Sequence, residues 1–173
     1  MLTARLFKNA IMEWLTENGL TNVKSVKFTD DFRYDLDTHI VKFGMWSLYE
    51  IGDWFEEYLC EHGCKYVDIP KPILAFLHEV GHSETIDNFS NEEIAWCHIL
   101  KKTTTDKDTY KETAYRYWSI PDEAFANEWV VNFINTHIEA IMDLYTIYEY
   151  YYEETRKEFK SFYNKKLNME IVK

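Results

Sequence analysis

The sequence has little cysteine, proline or glycine, with 3, 3 and 5 residues among 173. The cysteines are Cys60, Cys64 and Cys97, an odd and sparse set, so we expect reduced thiols and a cytoplasmic protein. Few prolines and glycines also means few points at which helices are interrupted. Together with an aromatic content of 17%, this composition favours long helices packed around a core of large rings.

A long hydrophobic run is also missing. No stretch approaches the ~18 consecutive apolar residues of a membrane-spanning helix. The segment Met1–Leu20 mixes apolar and charged residues and lacks the unbroken apolar stretch of a signal peptide. We therefore expect neither a transmembrane helix nor a secretion signal, and no membrane partner.

Basic residues are scarce relative to acidic ones. The chain has 19 Lys and Arg against 30 Asp and Glu, which gives a net charge of −11. Proteins that bind nucleic acids or anionic membranes do so through clustered Lys and Arg that contact phosphates. The charge therefore argues against both kinds of partner, whereas it suits a solvated acidic surface or a basic protein partner.

Neither an internal repeat nor a linker divides the sequence, so we expect one domain over residues 1–173. Alternation of apolar and polar residues predicts strands at Val23–Thr29 and Thr38–Phe43, and a short third strand at Lys65–Ile69. The polar segment Thr103–Asp108 is predicted to be a loop.

Helices account for most of the remaining chain. Apolar spacing and helix-capping residues predict helices over Thr3–Asn18 and Trp46–His62, from Pro72, from Ser90, and from Pro121 almost to Leu167 with a break near Asn135 or Thr136. The predicted class is α+β and mostly α, with a small antiparallel sheet and a long C-terminal helix.

The segment Leu77–His82 contains the pattern His-Glu-x-x-His. On a helix, His78 and His82 lie one turn apart on the same face, so both imidazoles can bind one zinc ion. Glu79 is turned about 100° from His78, which places it beside the ligands rather than among them. From there it can act on a water molecule as a general base.

The helix that carries this pattern has an apolar face at i, i+3, i+4 and i+7, formed by Ile73, Phe76, Leu77 and Val80. His78 and His82 fall on the other side, where we expect a cleft. Gly81 is unexpected inside a helix, since it costs about 1 kcal/mol relative to Ala. Its missing side chain would let another segment or a substrate approach closely.

Catalytic zinc usually takes three protein ligands and leaves one position for water. A metzincin would place Gly at position 85 and His at position 88, but the residues are Thr85 and Asn88, which excludes that class. Glu84 and Asp87 are nearby carboxylates and stay open as third ligands. The stronger candidate is Glu123.

Glu123 and Asn127 lie four residues apart, on one face of the helix that begins at Pro121. The small residues Ala124 and Ala126 would let this helix pack close to the first one. Glu123 could then bind the metal, and the Asn127 side chain could accept a hydrogen bond from the far nitrogen of a ligating histidine. The alternative is that Glu123 only stabilises the helix dipole from the first turn.

Taken together, the two motifs resemble the gluzincin zinc peptidases and, more narrowly, the ImmA/IrrE-type metallopeptidases. The residues that carry the resemblance are His78-Glu79-Val80-Gly81-His82 and Glu123-x-x-Ala126-Asn127-x-Trp129-Val130. The resemblance implies a minimal zincin-like metallopeptidase domain that binds Zn²⁺ through His78, His82 and Glu123, with Glu79 as the catalytic base. The sequence departs from that family in the long stretch between the motifs and in its Tyr-rich C-terminal segment.

A zinc peptidase also needs a donor for the oxyanion that forms during hydrolysis. Tyr115 and Tyr117 precede Glu123 and are candidates, as are His98 and His137; packing explains a tyrosine equally well in a chain with 13 of them. Cys60-Glu61-His62-Gly63-Cys64 would need two more ligands to form a second metal site, so we expect none there.

The C-terminal residues Tyr145, Tyr148 and Tyr152 share one helical face. That face can pack against the core or bind a partner, since Tyr is enriched at interfaces. For the whole chain, the sequence favours a zinc-dependent metallopeptidase that hydrolyses a peptide bond in an intracellular protein substrate, such as a regulator or repressor. The alternative is an acidic, non-catalytic binding or inhibitor protein on a metallopeptidase scaffold.

Overall fold

The computed structural model describes residues 2–45, 54–66, 68–104 and 110–171, with side chains described up to residue 162. The elements, in chain order, are α1 (Leu2–Glu17), β1 (Ser25–Thr29), β2 (Arg33–Asp35), β3 (Ile40–Gly44), α2 (Phe55–Glu61), α3 (Lys71–Thr85), α4 (Asn91–Thr103), α5 (Lys111–Trp118), α6 (Pro121–Thr136) and α7 (Ile138–Ile171). The described chain is therefore mostly helical, as the sequence predicted. No helix within it combines the length and apolar character needed to cross a membrane.

The sheet has three strands in the order β1-β3-β2. β3 pairs with β2 in antiparallel fashion but with β1 in parallel, with Val26 opposite Val41. The sheet is thus mixed, and the antiparallel sheet predicted from the sequence is wrong. The reason is β2, a three-residue strand in the segment that the prediction treated as a connection. Because the chain reverses once to form β2 and again to form β3, β3 runs in the same direction as β1.

A third predicted strand, at Lys65–Ile69, is also wrong, because its described residues are irregular. Asp68 has a φ of 64°, a left-handed conformation that a strand does not contain. Of the helix predicted over Trp46–His62, the structure shows the last part as α2, while residues 46–53 lie outside the described chain. The predicted loop after Thr103 likewise falls mostly on residues 105–109, which are not described, and α5 follows as a helix that was not predicted.

Helix boundaries follow the capping residues closely. Ser90 and Glu93 form a capping box at the start of α4, with the Ser90 N–H donating to Glu93 Oε2 at 2.8 Å. Pro72 and Pro121 occupy the first turns of α3 and α6. The predicted break near Thr136 is confirmed, because α6 ends there and α7 begins at Ile138.

The central helix is α3, which packs against the sheet on one side and against α6 on another. Its apolar face carries fully buried side chains, Ile73, Phe76, Leu77 and Val80. Burial of each such side chain contributes roughly 1.5–3 kcal/mol. α1 and α7 close the core from the far side, where Trp14 Nε1 donates to the Ala140 carbonyl at 2.8 Å. The core therefore holds α3, the helix that carries His78 and His82, by its apolar face.

The face of α7 that carries Tyr145, Tyr148 and Tyr152 packs against this core. Tyr152 is buried, and its ring lies 6.1 Å from the ring of Phe43. The Tyr148 ring contacts the Tyr152 ring in a tilted arrangement, with ring centres 4.5 Å apart, and Tyr145 is half-buried beside the core. Of the two interpretations of this face, the described contacts support packing.

Candidate metal centre

The approach of α6 to α3 is set by small residues. Gly81 faces Ala126 so closely that a Cβ at position 81 would lie 2.7 Å from the Ala126 carbonyl oxygen and 3.2 Å from its Cα. Any larger residue would collide with backbone that cannot rotate away. The glycine is therefore required by helix packing, as expected from its position, and the close contact brings the polar side of α3 against the first turns of α6.

Three side chains converge across this contact. His78 Nε2 lies 3.0 Å from Glu123 Oε2 and 3.1 Å from His82 Nε2, and His82 Nε2 lies 3.4 Å from Glu123 Oε1. The exposed fractions of the three side chains are only 11%, 12% and 3%. In the described chain, these residues form the one cluster of three or more candidate metal ligands, with ligand atoms within 4.8 Å of one another.

The protonation of His78 directs its lone pair into this cluster. Asn127 Oδ1 accepts a hydrogen bond from His78 Nδ1 at 2.8 Å, which places the proton of the neutral ring on Nδ1. Nε2 of His78 then carries a lone pair toward the Glu123 carboxylate. An imidazole lone pair and a carboxylate oxygen at 3.0 Å repel each other unless a proton or a metal ion lies between them.

The spacing and chemistry of these atoms fit zinc. Ligands about 2.0–2.2 Å from a tetrahedral zinc ion are about 3.3–3.6 Å apart. Here His78 Nε2 lies 3.0 Å from Glu123 Oε2 and 3.1 Å from His82 Nε2, and His82 Nε2 lies 3.4 Å from Glu123 Oε1, so small outward movements of these side chains would accommodate the ion. Two imidazole nitrogens and one carboxylate oxygen are also the ligand set of many zinc peptidases. His78, His82 and Glu123 are therefore the residues that could hold the metal.

Electrostatics within the cluster are favourable. Burial alone would lower the pKa of His78, but the adjacent Glu123 carboxylate raises it above its usual value. Burial alone would raise the pKa of Glu123, but His82 and His78 hold it well below the usual range. Glu123 is consequently ionised, as a metal ligand must be.

Glu79 lies beside the ligands, not among them. Its Oε2 accepts a hydrogen bond from the backbone N–H of Tyr34 at 2.6 Å. This contact ties α3 to β2, the edge strand of the sheet, and fixes the carboxylate at the wall of the same cleft. No residue pattern could have predicted this contact, because a backbone amide can supply the bond from any residue other than proline.

A cleft of about 830 Å³ opens over these residues. Its walls come from six elements and the segments next to them. The lining residues include His78, Glu79 and His82 of α3, Asp122 and Glu123 of α6, Ile94, His98 and Lys101 of α4, Tyr117 and Trp118 of α5, Phe55 of α2, and Arg33, Tyr34 and Asp35 of β2. The cluster is thus open to a ligand from one side and packed on the other.

Lys101 is a site residue that the sequence analysis missed. Its Nζ lies 2.5 Å from Glu123 Oε1 and 2.5 Å from Asp122 Oδ2. Burial would lower the pKa of this amine, but the Glu123 carboxylate raises it above its usual value, so Lys101 is an ammonium. A signal was available, since Ile94, His98 and Lys101 follow the i, i+4, i+7 spacing of one face of α4.

Of the candidate oxyanion donors, Tyr117 and His98 line the cleft. Burial and the nearby carboxylates, Glu123 first, raise the pKa of Tyr117 far above its usual value, which leaves a neutral phenol that can donate. Tyr115 lies instead against Tyr58, with ring centres 5.1 Å apart, and is not among the described lining residues. His137 stacks on Phe133 at 4.6 Å, at the far end of α6.

The rival ligands do not join the cluster. Glu84 is half-buried near Ser83, and Asp87 lies on the single 3-10 turn that follows α3. Cys60 and Cys64 are free thiols that belong to no ligand group within the described residues.

Comparisons with models of protein families, with curated proteins and with solved structures gave no match to this chain.

Proposed function

We propose that this chain is a zinc-dependent metallopeptidase that hydrolyses a peptide bond in an intracellular protein or peptide substrate. The observation that carries the proposal is the convergence of His78, His82 and Glu123 beside Glu79 in one open cleft. Zinc, when bound, would polarise the scissile carbonyl and make a water molecule acidic enough to attack near neutral pH.

The chain's own residues divide the remaining work. His78, His82 and Glu123 hold the metal, and Asn127 fixes the orientation of the His78 ring through the Nδ1 hydrogen bond. Glu79 takes a proton from the attacking water and passes it to the leaving amine. The Tyr34 amide keeps one Glu79 oxygen occupied, so the other oxygen performs the transfer.

A donor to the developing oxyanion completes the set. Tyr117 is the favoured candidate, because it is neutral and lines the cleft. A hydrogen bond that is stronger in the transition state than in the ground state lowers the barrier to hydrolysis. His98, which lines the cleft from α4, is the second candidate.

The alternative proposal is a binding or inhibitor protein that has a metallopeptidase scaffold but does not hydrolyse peptides. Its basis is the net charge of −11. The placement of Glu79 supports the peptidase instead. A protein that only binds a partner does not need the Glu79 carboxylate to be held beside the candidate metal ligands by a backbone amide.

Metal content and turnover together test the proposal. The purified protein is expected to hold about one zinc ion per chain and to cleave a mixed peptide library, with cleavage detected by mass spectrometry. Glu79→Gln should keep the zinc and lose hydrolysis, whereas the matched variant Glu84→Gln on the same helix should keep both. Zinc binding without any cleavage by the wild-type protein would favour the binding protein, and loss of zinc from Glu79→Gln would make Glu79 a ligand.

A further inference from the structure

The two oxygens of Glu123 have different neighbours. Oε2 faces His78 Nε2 at 3.0 Å, while Oε1 lies 2.5 Å from the Lys101 ammonium and 3.4 Å from His82 Nε2. Asp122 holds the same ammonium from its other side at 2.5 Å. One oxygen of the candidate ligand is therefore already engaged by a cation that belongs to the chain.

Lys101 lies on the inward side of α4, one helical turn after Cys97. Cys97 is the buried side chain of this helix, and Trp96 and Ile99 are exposed by 58% and 52%. The Lys101 side chain enters the cleft, where it is only 21% exposed. Removing an ammonium from water is costly unless it is paired. The pairing with Asp122 and Glu123 is what stabilises it there.

We propose that Lys101 is a positioning residue that makes Glu123 a one-oxygen zinc ligand. This inference rests on the proposed function. The ammonium holds Oε1 at 2.5 Å, closer than His82 Nε2 at 3.4 Å, so Oε2 is the oxygen that would join His78 and His82 at the metal. A carboxylate that bound through both oxygens would fill the position that a catalytic zinc ion must leave open for water.

The negative charge of Asp122 allows a divalent cation to bind close to the Lys101 ammonium. Lys101, Asp122 and Glu123 together carry a net charge of −1, so the cluster still attracts a metal although it contains an ammonium. Hydrogen bonds to the second oxygen of a ligating carboxylate are a common means of fixing that ligand. Lys101 would supply this bond from a helix that contributes no ligand of its own.

Substitution of Co²⁺ for zinc tests the proposal, because the visible absorption of Co²⁺ weakens as its coordination number rises. Wild-type protein loaded with Co²⁺ should show the strong absorption of a four-coordinate site. Lys101→Met should still bind Co²⁺ through the same three residues, but with weaker absorption, because Glu123 gains a second metal-bound oxygen. Lys101→Arg should restore the wild-type spectrum, and Lys102→Met, an exposed neighbour on the same helix, should leave it unchanged.

Equal absorption in wild type and Lys101→Met would overturn the role of Lys101 while leaving the metal site in place. Failure of the wild-type protein to bind Co²⁺ or Zn²⁺ would instead overturn the proposed function, and this inference with it. Should Lys101→Met fail to fold, as judged by circular dichroism, zinc X-ray absorption on the wild-type protein decides. One carboxylate oxygen at bonding distance supports the proposal, and two oxygens refute it.

Discussion

Glu123 is the residue on which the candidate site depends most. Its carboxylate is 3% exposed, yet it is ionised. A buried charge of this kind costs several kcal/mol unless it is paired or bound to a cation. His78, His82 and Lys101 all face it, so its neighbours already supply part of the compensation that a metal would complete.

Substitution of the candidate ligand and of its neighbour should therefore have unequal effects. Glu123→Ala is expected to lower zinc affinity by orders of magnitude, because it removes a ligand. Asn127→Ala should cost less, about 10–100-fold in affinity or activity, because it only frees the His78 ring. Competition with a chromogenic chelator measures both.

Glu84→Ala and Asp87→Ala serve as controls and should bind zinc as the wild type does. If either control loses zinc while Glu123→Ala keeps it, the third ligand is Glu84 or Asp87. The proposed resemblance to gluzincins would then be wrong. His78 and His82 would keep their predicted roles in that case.

For individual residues, the sequence predicted the site positions that lie on one helix, but not the contacts that join the site to other elements. His78 and His82 lie together because residues four apart on a helix must do so. Glu123 could be proposed because a carboxylate on an inward face of a second helix needs a partner. Lys101 and the Tyr34 amide reach the site from α4 and β2. The helical spacing of Lys101 indicates which face of α4 it shares, but no local pattern indicates that α4 and β2 lie next to α3 and α6.

Among the elements, the pair α3 and α6 determines whether the ligands meet. These helices touch where Gly81 lies against Ala126, and the contact leaves no room for a methyl group. The two histidines are on one helix and Glu123 is on the other, so the helix separation sets the distance from His82 to Glu123. Small residues in the contact therefore serve the site as well as the core.

Gly81→Ala should destabilise the protein although it improves helix propensity. Ala gains about 1 kcal/mol over Gly within a helix, but overpacking against a rigid backbone typically costs about 1–3 kcal/mol. We expect a lower free energy of unfolding in urea, together with weaker zinc binding as the helices separate. An unchanged or increased stability would show that α6 can shift away without loss, and that the close contact is not required.

Element ends were predicted better than strand directions. Ser90, Pro121 and the break at Thr136 carry their own chemistry, since each satisfies or removes a backbone group locally. β2 has three residues, Arg33–Asp35, of which one is exposed and two are half-buried, too little for a periodic signal. Without β2, the two longer strands could only be assumed to form an antiparallel pair.

For the whole molecule, the cleft is the feature that could least be predicted. Its walls come from β2, α2, α3, α4, α5 and α6, which are separated along the chain and meet only in the folded protein. Composition indicated a helical core of aromatic rings, and that core holds α3 in place from its apolar side. The opposite side of α3 is then left to face the cleft, as the helical wheel suggested.

A metal that bridges α3 and α6 should stabilise the entire fold. Because the ligands meet only in the native state, zinc at about 100 times its dissociation constant should add about 2.7 kcal/mol to the free energy of unfolding. Urea unfolding of chelator-treated protein, with and without added zinc, measures this difference. Glu79→Gln should show the same gain as wild type, since it removes no ligand, whereas His82→Ala should show little or none. If zinc binds the wild-type protein yet leaves its unfolding unchanged, the ion is held equally well by the unfolded chain, and the cluster between α3 and α6 is not where it binds.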